Sequence, residues 1–299
     1  MARASRLGVA TPVEETVTIW STLDACSPAS ASASISATLA STGTAAGSFC
    51  KPSRGPTSRT VTTGASVPAG TSGVLFVANA GFAPNPERGV HAFCHCFPGL
   101  WHQMSVILSA ASCLTWVARL TGASSEGQLL AEIEAAKRGT GSLLFLPYLS
   151  GERTPHNDPH AMGVFFGLTH EHTRADLGRA VLEGVAYAFA DGQGVLGEAG
   201  TKIASVSVIG GGARSRLWGS ILADVLGRPL TYHVGGDVGP AFGAARLARL
   251  AVTGEDPPAV CTPPASDYVI EPDLAASERH AAKLALYRDI YRNLHGLFR

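Results

Sequence analysis

Three consecutive glycines in the C-terminal half of the chain could bring a bound ligand close to the backbone. They open the run Gly210-Gly211-Gly212-Ala213-Arg214-Ser215. Glycine has no Cβ, so a flat or charged group can approach the main chain there. A helix predicted just after the run would add unpaired N–H groups and a partial positive charge, which suit a phosphate or a nucleotide. A tight turn without a ligand is the alternative.

A second turn carries hydroxyl groups as well as glycines. It reads Gly70-Thr71-Ser72-Gly73 and lies between apolar segments. The glycines allow a tight turn, while the threonine and serine supply hydroxyl and N–H donors that suit phosphate oxygens. The pattern is compatible with a phosphate clamp and also with an ordinary hairpin turn.

A long polar segment lies between residues 146 and 159. It carries glutamate, arginine, histidine and aspartate side chains between Pro147 and Pro159. A charged loop held by rigid ends often lines a functional site. A solvated loop with internal salt bridges is the competing interpretation.

Apolar periodicity predicts the strands and helices that position these segments. Residues 203–209 alternate like a buried strand before the glycines, and residues 217–226 place apolar side chains on one helical face after them. Further strands are predicted at 74–78, 90–96, 100–106, 142–146 and 230–234. Further helices are predicted at 107–120, 126–138, 174–198 (with Thr173 as N-cap), 240–252 and 274–297. A short antiparallel meander followed by alternating strands and helices indicates an α/β fold.

Residues 1–69 differ in composition from residues 70–299. Serine, threonine and alanine dominate residues 21–60, and no acidic residue occurs between Asp24 and Glu87. Such a stretch buries too little apolar surface to offset its chain entropy, so we expect a low-complexity, poorly ordered segment. A flexible linker would explain it, and so would a shifted reading frame.

Composition narrows the class of protein. The 23 basic and 23 acidic residues balance, and no Lys/Arg run builds a basic face, so nucleic acid is not an expected partner. No apolar stretch approaches the roughly 20 residues that span a bilayer, and residues 1–10 lack the hydrophobic region of a secretory signal. The six cysteines form no metal or disulfide framework, which fits a reducing interior. We therefore expect a cytoplasmic protein.

Two further patterns suggest sites but have simpler explanations. Residues 192–197 match the dinucleotide fingerprint G-x-G-x-x-G, which requires a preceding strand, whereas a long helix is predicted here. A zinc site could be read from His91, Cys94, His95, Cys96 and His102. Adjacent strand residues point to opposite faces, and the spacing matches no usual zinc pattern. We expect these cysteines to be small buried hydrophobic residues and assign no metal site.

Several short motifs together resemble the FGGY carbohydrate kinases, and within them the xylulose kinase branch. In chain order these motifs are Gly70-Thr71-Ser72-Gly73, Trp101-His102-Gln103-Met104, Ser150-Gly151-Glu152-Arg153-Thr154-Pro155-His156, Gly163-Val164-Phe165-Phe166-Gly167-Leu168, Asp176-Leu177 with Ala180 and Glu183, and the triple-glycine run with Trp218 and Ala223-Asp224. The resemblance covers about residues 70–297 in the family's order.

The resemblance implies an actin-like ATPase fold, in which two RNase H-like domains surround a cleft. This chain is similar to the second, C-terminal domain, which holds most of the nucleotide. The implied reaction is ATP-dependent transfer of a phosphoryl group to a ketopentose hydroxyl, with Mg²⁺ as the metal ion and D-xylulose as the leading candidate. The turn Gly70-Thr71-Ser72-Gly73 would meet the terminal phosphates. Gly211, Gly212 and Ala213 would pack on the adenosine, with Arg214 and Ser215 at its edge.

Two other groups of residues match the family but have ordinary explanations. Gly239, Ala241, Gly243 and Ala244 resemble a small-residue helix behind the nucleotide, and we favour ordinary helix packing for them. Glu183 belongs to the family signature, and an exposed or capping carboxylate is the simpler account.

The sequence departs from the family where the chemistry needs a proton acceptor. In the family this base is an aspartate in an Asp-Asn segment shortly before the Gly-Thr-Ser-Gly turn, and no carboxylate occurs in that window here. The family's first domain, with most sugar contacts, has no counterpart in the chain. General-base assistance alone is worth about 10²–10⁴-fold. We therefore assign no catalytic residue and expect the chain alone to be nearly or wholly inactive. A truncated, non-catalytic ATP-binding or interaction fragment is the alternative, and a homodimer stays open.

Overall fold

Segments of alternating apolar residues form one seven-stranded sheet with helices packed against it. The computed structural model describes residues 16–21, 72–137, 141–203, 205–236 and 239–299. The strands are β1 (Thr16–Ser21), β2 (Gly73–Asn79), β3 (His91–Cys94), β4 (Trp101–Ile107), β5 (Leu144–Leu146), β6 (Val164–Phe166), β7 (Ser205–Ile209), β8 (Leu230–His233) and β9 (Ser266–Ile270). The helices are α1 (Ala111–Leu120), α2 (Glu126–Ala136), α3 (Arg174–Glu198), α4 (Arg216–Leu226), α5 (Gly239–Thr253), α6 (Pro257–Val260) and α7 (Leu274–Leu294).

The main sheet has the strand order β3-β4-β2-β1-β7-β8-β9. β1 runs antiparallel to β2 and parallel to β7, and β7 runs parallel to β8. β5 and β6 form a separate antiparallel pair. The sheet therefore combines an antiparallel half with a parallel half, and β1 joins them. The predicted α/β class is confirmed.

The central strand β1 lies within the segment for which we expected disorder. Its Trp20 pairs with Val74 of β2 on one side and with Ile209 of β7 on the other. The expectation of disorder is therefore wrong for Thr16–Ser21, which two neighbouring strands hold in the sheet. The rest of residues 1–69, and with it the predicted boundary near residue 70, lies outside the described residues.

The first three predicted strands do not form a sequential meander. β4 pairs with both β2 and β3, so it lies between them. Gln103 and Ser105 of β4 are fully buried, which suits a strand flanked on both sides. Phe93 and Cys94 of β3 are exposed, which suits an edge strand. Burial by partners distant in sequence, rather than chain order, decides this arrangement.

The long helix α3 forms the centre of the hydrophobic core. It begins after Thr173 as predicted, and the Thr173 backbone N and side-chain Oγ1 donate to Asp176 Oδ2 at 2.8 and 2.7 Å. Its glycines allow close packing: a Cβ at Gly192 would lie 2.5 Å from Ser105 Oγ. The G-x-G-x-x-G pattern thus lies within a helix, as predicted, and its first glycine serves helix–sheet packing.

The C-terminal helix α7 holds the polar segment of residues 147–159 in place. Tyr287 OH lies 2.8 Å from Tyr148 OH, and both tyrosines are fully buried. The ring of Tyr291 stacks on that of His156 with 3.5 Å between centroids, and its hydroxyl donates to Asp158 Oδ2 at 3.0 Å. None of the helices in the described ranges is long and apolar enough to cross a membrane.

Candidate functional site

Strand register brings the two glycine motifs to one end of the sheet. Ser21 of β1 pairs with Gly73, where β2 starts, and Trp20 pairs with Ile209, where β7 ends. Only β1 separates these two strands, so Gly73 and Ile209 lie about 10 Å apart, or two strand spacings. In open α/β sheets, ligands bind outside the carboxyl ends of the parallel strands. Both motifs adjoin that end.

The structure describes only the last two residues of the first motif, Ser72 and Gly73. Gly70 and Thr71 lie outside the described residues, whereas Ser72 is half-buried directly before β2. A Cβ at Gly73 would lie 2.5 Å from Phe189 Cζ and 3.1 Å from Ala110 Cβ. Close packing against α3 and the start of α1 therefore requires this glycine, whatever binds at the turn.

The second motif is a tight turn between β7 and α4. Gly210 has φ +85°, and its N–H donates to Gly236 O at 3.0 Å. Gly211–Arg214, which includes Gly212 and Ala213, forms a short 3-10 turn, with Gly211 buried and Arg214 exposed. Ser215 is the N-cap of α4, and its Oγ accepts from Trp218 N at 3.2 Å. The serine thus satisfies one N–H of the helix start that we expected to be free for a phosphate.

The polar segment brings a buried carboxyl group to the same end of the sheet. Glu152 is 1% exposed, and its Oε1 accepts from Leu108 N at 3.0 Å and from Arg153 N at 2.7 Å. Leu108 follows Ile107, which pairs with Gly73. The alternative of a solvated loop is therefore wrong for Glu152, and equally for Thr154, which is fully buried.

The surroundings of Glu152 favour its neutral form. Burial raises the pKa of the Glu152 carboxyl to about 8, the N–H groups of Leu108 and Arg153 oppose this shift, and the Asp191 carboxylate adds to it. Oε2 is buried and has no hydrogen-bond partner among the described residues. Sequence reasoning selected the segment but missed this buried acid. The adjacent Gly151 is the one local signal in the sequence. The structure shows why a glycine is needed there: Gly151 has φ +73°, and a Cβ would meet Pro159 O at 2.8 Å.

Glu183 is neither exposed nor a capping residue, contrary to our expectation. It is 2% exposed and pairs with Arg179 Nε at 2.9 Å and with Lys283 Nζ at 2.6 Å. Lys283 also donates to Leu143 O at 3.2 Å. The carboxylate is buried because α7 and the start of β5 cover this side of α3, so Glu183 joins three parts of the fold.

The histidines and cysteines near β3 do not behave as expected either. Cys94 and Cys96 are exposed, so the prediction of buried hydrophobic cysteines is wrong for both: Cys94 ends the edge strand β3, and Cys96 lies just after it. The ring of His102 stacks on Phe76 at 4.8 Å between centroids. Within the described ranges, no group of three or more His, Cys, Asp or Glu residues could hold a metal ion.

The small-residue helix α5 is less packed than we expected. Ala241 and Ala244 are exposed and Gly243 is half-buried. The closest packing of α5 within the described part of the chain is with the short helix α6. Ordinary helix packing against the sheet does not account for these two alanines.

Comparisons with known proteins identify the family of the chain. The model of the C-terminal domain of the FGGY family of carbohydrate kinases matches residues 65–252. The xylulose kinase of Escherichia coli K12 is 58% identical over 186 residues, which is 62% of this chain and 38% of that protein. The xylulose kinase of Klebsiella pneumoniae is 52% identical over 226 residues, which is 75% of this chain and 46% of that protein.

A solved structure agrees with the sequence relatives. The crystal structure of a xyloylose kinase from Brucella ovis superimposes with a TM-score of 0.72 and 48% identity, covering 76% of this chain and 47% of that one. The chain thus spans less than half the length of these relatives. It belongs to the FGGY family of carbohydrate kinases and carries the C-terminal domain of that family.

Proposed function

We propose that this chain is the nucleotide-binding half of a kinase that transfers the γ-phosphoryl group of ATP to a ketopentose, D-xylulose first of all. The observation that carries the proposal is the meeting of the two glycine motifs at one end of the sheet, through the pairs Ser21–Gly73 and Trp20–Ile209. The names of the relatives from Escherichia coli and Klebsiella pneumoniae support the choice of sugar.

Each motif would hold one part of the nucleotide. Gly70, Thr71, Ser72 and Gly73 would face the terminal phosphates. Gly211, Gly212 and Ala213 would pack on the adenosine, with Arg214 and Ser215 at its edge. The fit is supported by Gly210, whose positive φ lets the backbone turn sharply at the end of β7, and by the exposed position of Arg214.

Bound ATP would supply the phosphoryl group, and Mg²⁺ would neutralise negative charge on its phosphates. The contribution of this chain is to bind and orient the nucleotide. No acidic residue occurs between Asp24 and Glu87, so the chain offers no carboxylate shortly before the first turn to accept the sugar's proton. We propose that the isolated chain binds Mg·ATP without phosphorylating the sugar, and that the sugar site lies mostly on a second domain.

Two further expectations belong to the same proposal. The chain would act in the cytoplasm, where ATP is abundant and free cysteines persist. A homodimer stays a prediction, to be tested by measuring the mass of the chain in solution.

Calorimetric titration with Mg·ATP tests the proposed function. We expect saturable binding, weakened about tenfold (about 1.4 kcal/mol) in Arg214→Ala. Arg119→Ala removes an exposed arginine from α1 and serves as the matched control, with unchanged affinity. An unsubstituted chain that binds no Mg·ATP would refute the proposal.

A further inference from the structure

Glu152 and Thr154 fasten the polar segment to the end of β4. Glu152 Oε1 accepts from Leu108 N at 3.0 Å. Thr154 N donates to Val106 O at 3.1 Å, and Thr154 Oγ1 accepts from Val106 N at 3.0 Å. These three hydrogen bonds fix the backbone of residues 106–108, where the strand gives way to the start of α1.

The end of β4 is also the neighbour of the first glycine motif. Ile107 pairs with Gly73, the last residue of the Gly-Thr-Ser-Gly turn. Gly73 in turn has no space for a Cβ against Ala110 and Phe189. A displacement of Leu108 would therefore disturb the start of β2, because closely packed backbones leave no room for independent movement.

We propose that Glu152 is a positioning residue for the nucleotide phosphates: its carboxyl group fixes Leu108, and the Ile107–Gly73 pair transmits that position to the glycine turn. This inference rests on the proposed function, because it assumes that the turn meets phosphates. It assigns to Glu152 no contact with the nucleotide and no part in bond making.

The protonation state of Glu152 supports the proposal and makes it testable. Oε1 can accept from Leu108 N in the neutral acid as well as in the carboxylate, whereas the partnerless Oε2 is better accommodated as a hydroxyl. With a pKa raised by burial to about 8, the group is mostly neutral at pH 7 and mostly ionised at pH 9. Ionisation would place a buried negative charge at Leu108, next to the Ile107–Gly73 pair that leads into the turn.

The groups that face Glu152 come from every element packed against it. They are Cys113 on α1, Asp191 on α3 (paired with Arg288 on α7), Tyr287 on α7, and Tyr148 in its own segment. Arg153 contributes its backbone N–H. Burial raises the pKa of the Cys113 thiol and of both tyrosines, so these groups stay neutral up to pH 9. The Asp191 carboxyl is paired with Arg288 Nε at 2.6 Å. Burial raises the pKa of the Asp191 carboxyl as well, and Arg288 opposes that shift. The raised pKa of Glu152, about 8, lies between pH 7 and 9.

The test measures the affinity of the chain for Mg·ATP at pH 7, 8 and 9 in three variants. Glu152→Gln keeps the acceptor for Leu108 N but cannot ionise, Glu152→Ala removes the acceptor, and Glu134→Gln makes the same change at an exposed position on α2. We expect the unsubstituted chain and Glu134→Gln to lose affinity between pH 7 and 9, on the order of tenfold. Glu152→Gln should keep its affinity, and Glu152→Ala should bind weakly at all three pH values.

Hydrogen exchange at pH 7 provides a second measurement. The Leu108 amide should exchange faster in Glu152→Ala and at the unsubstituted rate in Glu152→Gln. Parallel pH profiles for the unsubstituted chain and Glu152→Gln would overturn the inference while leaving the proposed function intact, and so would unchanged exchange of Leu108 in Glu152→Ala. Absence of Mg·ATP binding by the unsubstituted chain would refute the proposed function and this inference with it.

Discussion

Gly73 of β2 and Ile209 of β7 lie on opposite sides of β1, at the same end of the sheet. The two residues are far apart in the chain, and each adjoins a glycine motif. β1 is antiparallel to β2 and parallel to β7. The start of β2 and the end of β7 therefore both lie beside the C-terminal end of β1. One central strand thus assembles the candidate nucleotide site from two distant segments.

Close packing of α3 on the backbone of β5 predicts a strong effect of one added methyl group. A Cβ at Gly184 would lie 2.2 Å from Phe145 O, a backbone atom that cannot move aside. Gly184→Ala should therefore lower the free energy of unfolding by about 2–3 kcal/mol or more. Gly194→Ala, on the same helix with nothing within 4 Å of the new Cβ, should raise it by about 0.5–1 kcal/mol. Urea denaturation of both variants measures the difference, and equal effects would contradict the packing.

Removal of the Lys283 charge tests the buried ion pair that joins α3 and α7. Lys283→Met would leave Glu183, 2% exposed, with Arg179 as its remaining charged partner. We expect the free energy of unfolding to fall by about 3–5 kcal/mol, because the buried Glu183 carboxylate would lose one of its two positively charged partners. The double variant Glu183→Met with Lys283→Met should lose less than the two single variants summed.

A surface pair supplies the control for this double-mutant cycle. Arg249 and Glu255 lie 2.5 Å apart but are exposed, so Glu255→Ala should change stability little. Strict additivity of the two α3–α7 substitutions would mean that Glu183 and Lys283 do not interact energetically.

The raised pKa of Glu152 predicts a pH-dependent gain in stability for Glu152→Gln. The folded chain holds this proton to about pH 8, whereas the unfolded chain releases it near 4.5. Unfolding therefore releases a proton between these two values, and the stability of the unsubstituted chain falls there as pH rises. Glu152→Gln cannot titrate, so its advantage should grow by about 1.4 kcal/mol per pH unit across that window and stay constant above it. Thermal melting at pH 5, 6.5 and 8 measures this, and a constant difference would show that the pKa is not raised.

The missing proton acceptor predicts the outcome of an activity assay. The purified chain with Mg·ATP and D-xylulose should give no detectable phosphorylation, because no acidic residue lies between Asp24 and the first glycine turn. The Escherichia coli xylulose kinase, assayed alongside, confirms that the assay detects turnover. Clear turnover by the purified chain would mean that another of its residues accepts the proton.

Local sequence signals predicted the helices better than the sheet. α3 was predicted with its observed ends and with Thr173 as its N-cap, and the structure confirms both. β1, β6 and β9 were not predicted. β1 lies within residues 1–69, for which poor order was expected, β6 has three residues, and β9 is a largely exposed edge strand. Their partners lie far away in the chain, so pairing rather than composition decides them.

Local motifs of the candidate site could be read from the sequence, whereas the burial of its charged residues could not. Both glycine motifs are local in the sequence, and strand register places Gly73 of the first motif and Ile209, which precedes the second, at the same end of the sheet. That the two motifs bind a nucleotide stays a prediction. The burial of Glu152 and Glu183 could not be read from the sequence, because it depends on α7 covering parts of the fold more than 80 residues earlier. A charged residue in the sequence predicts an exposed position, but an element distant in the chain can bury it in the fold.

Hydrogen exchange with and without Mg·ATP tests the central claim most directly, because it reports where the nucleotide binds. Our account predicts that Mg·ATP slows exchange in two separate segments, at the start of β2 around Ser72 and Gly73 and in the turn from Gly210 to Ser215. Protection of only one segment, or of neither, would contradict the claim that the two glycine turns form a single nucleotide site.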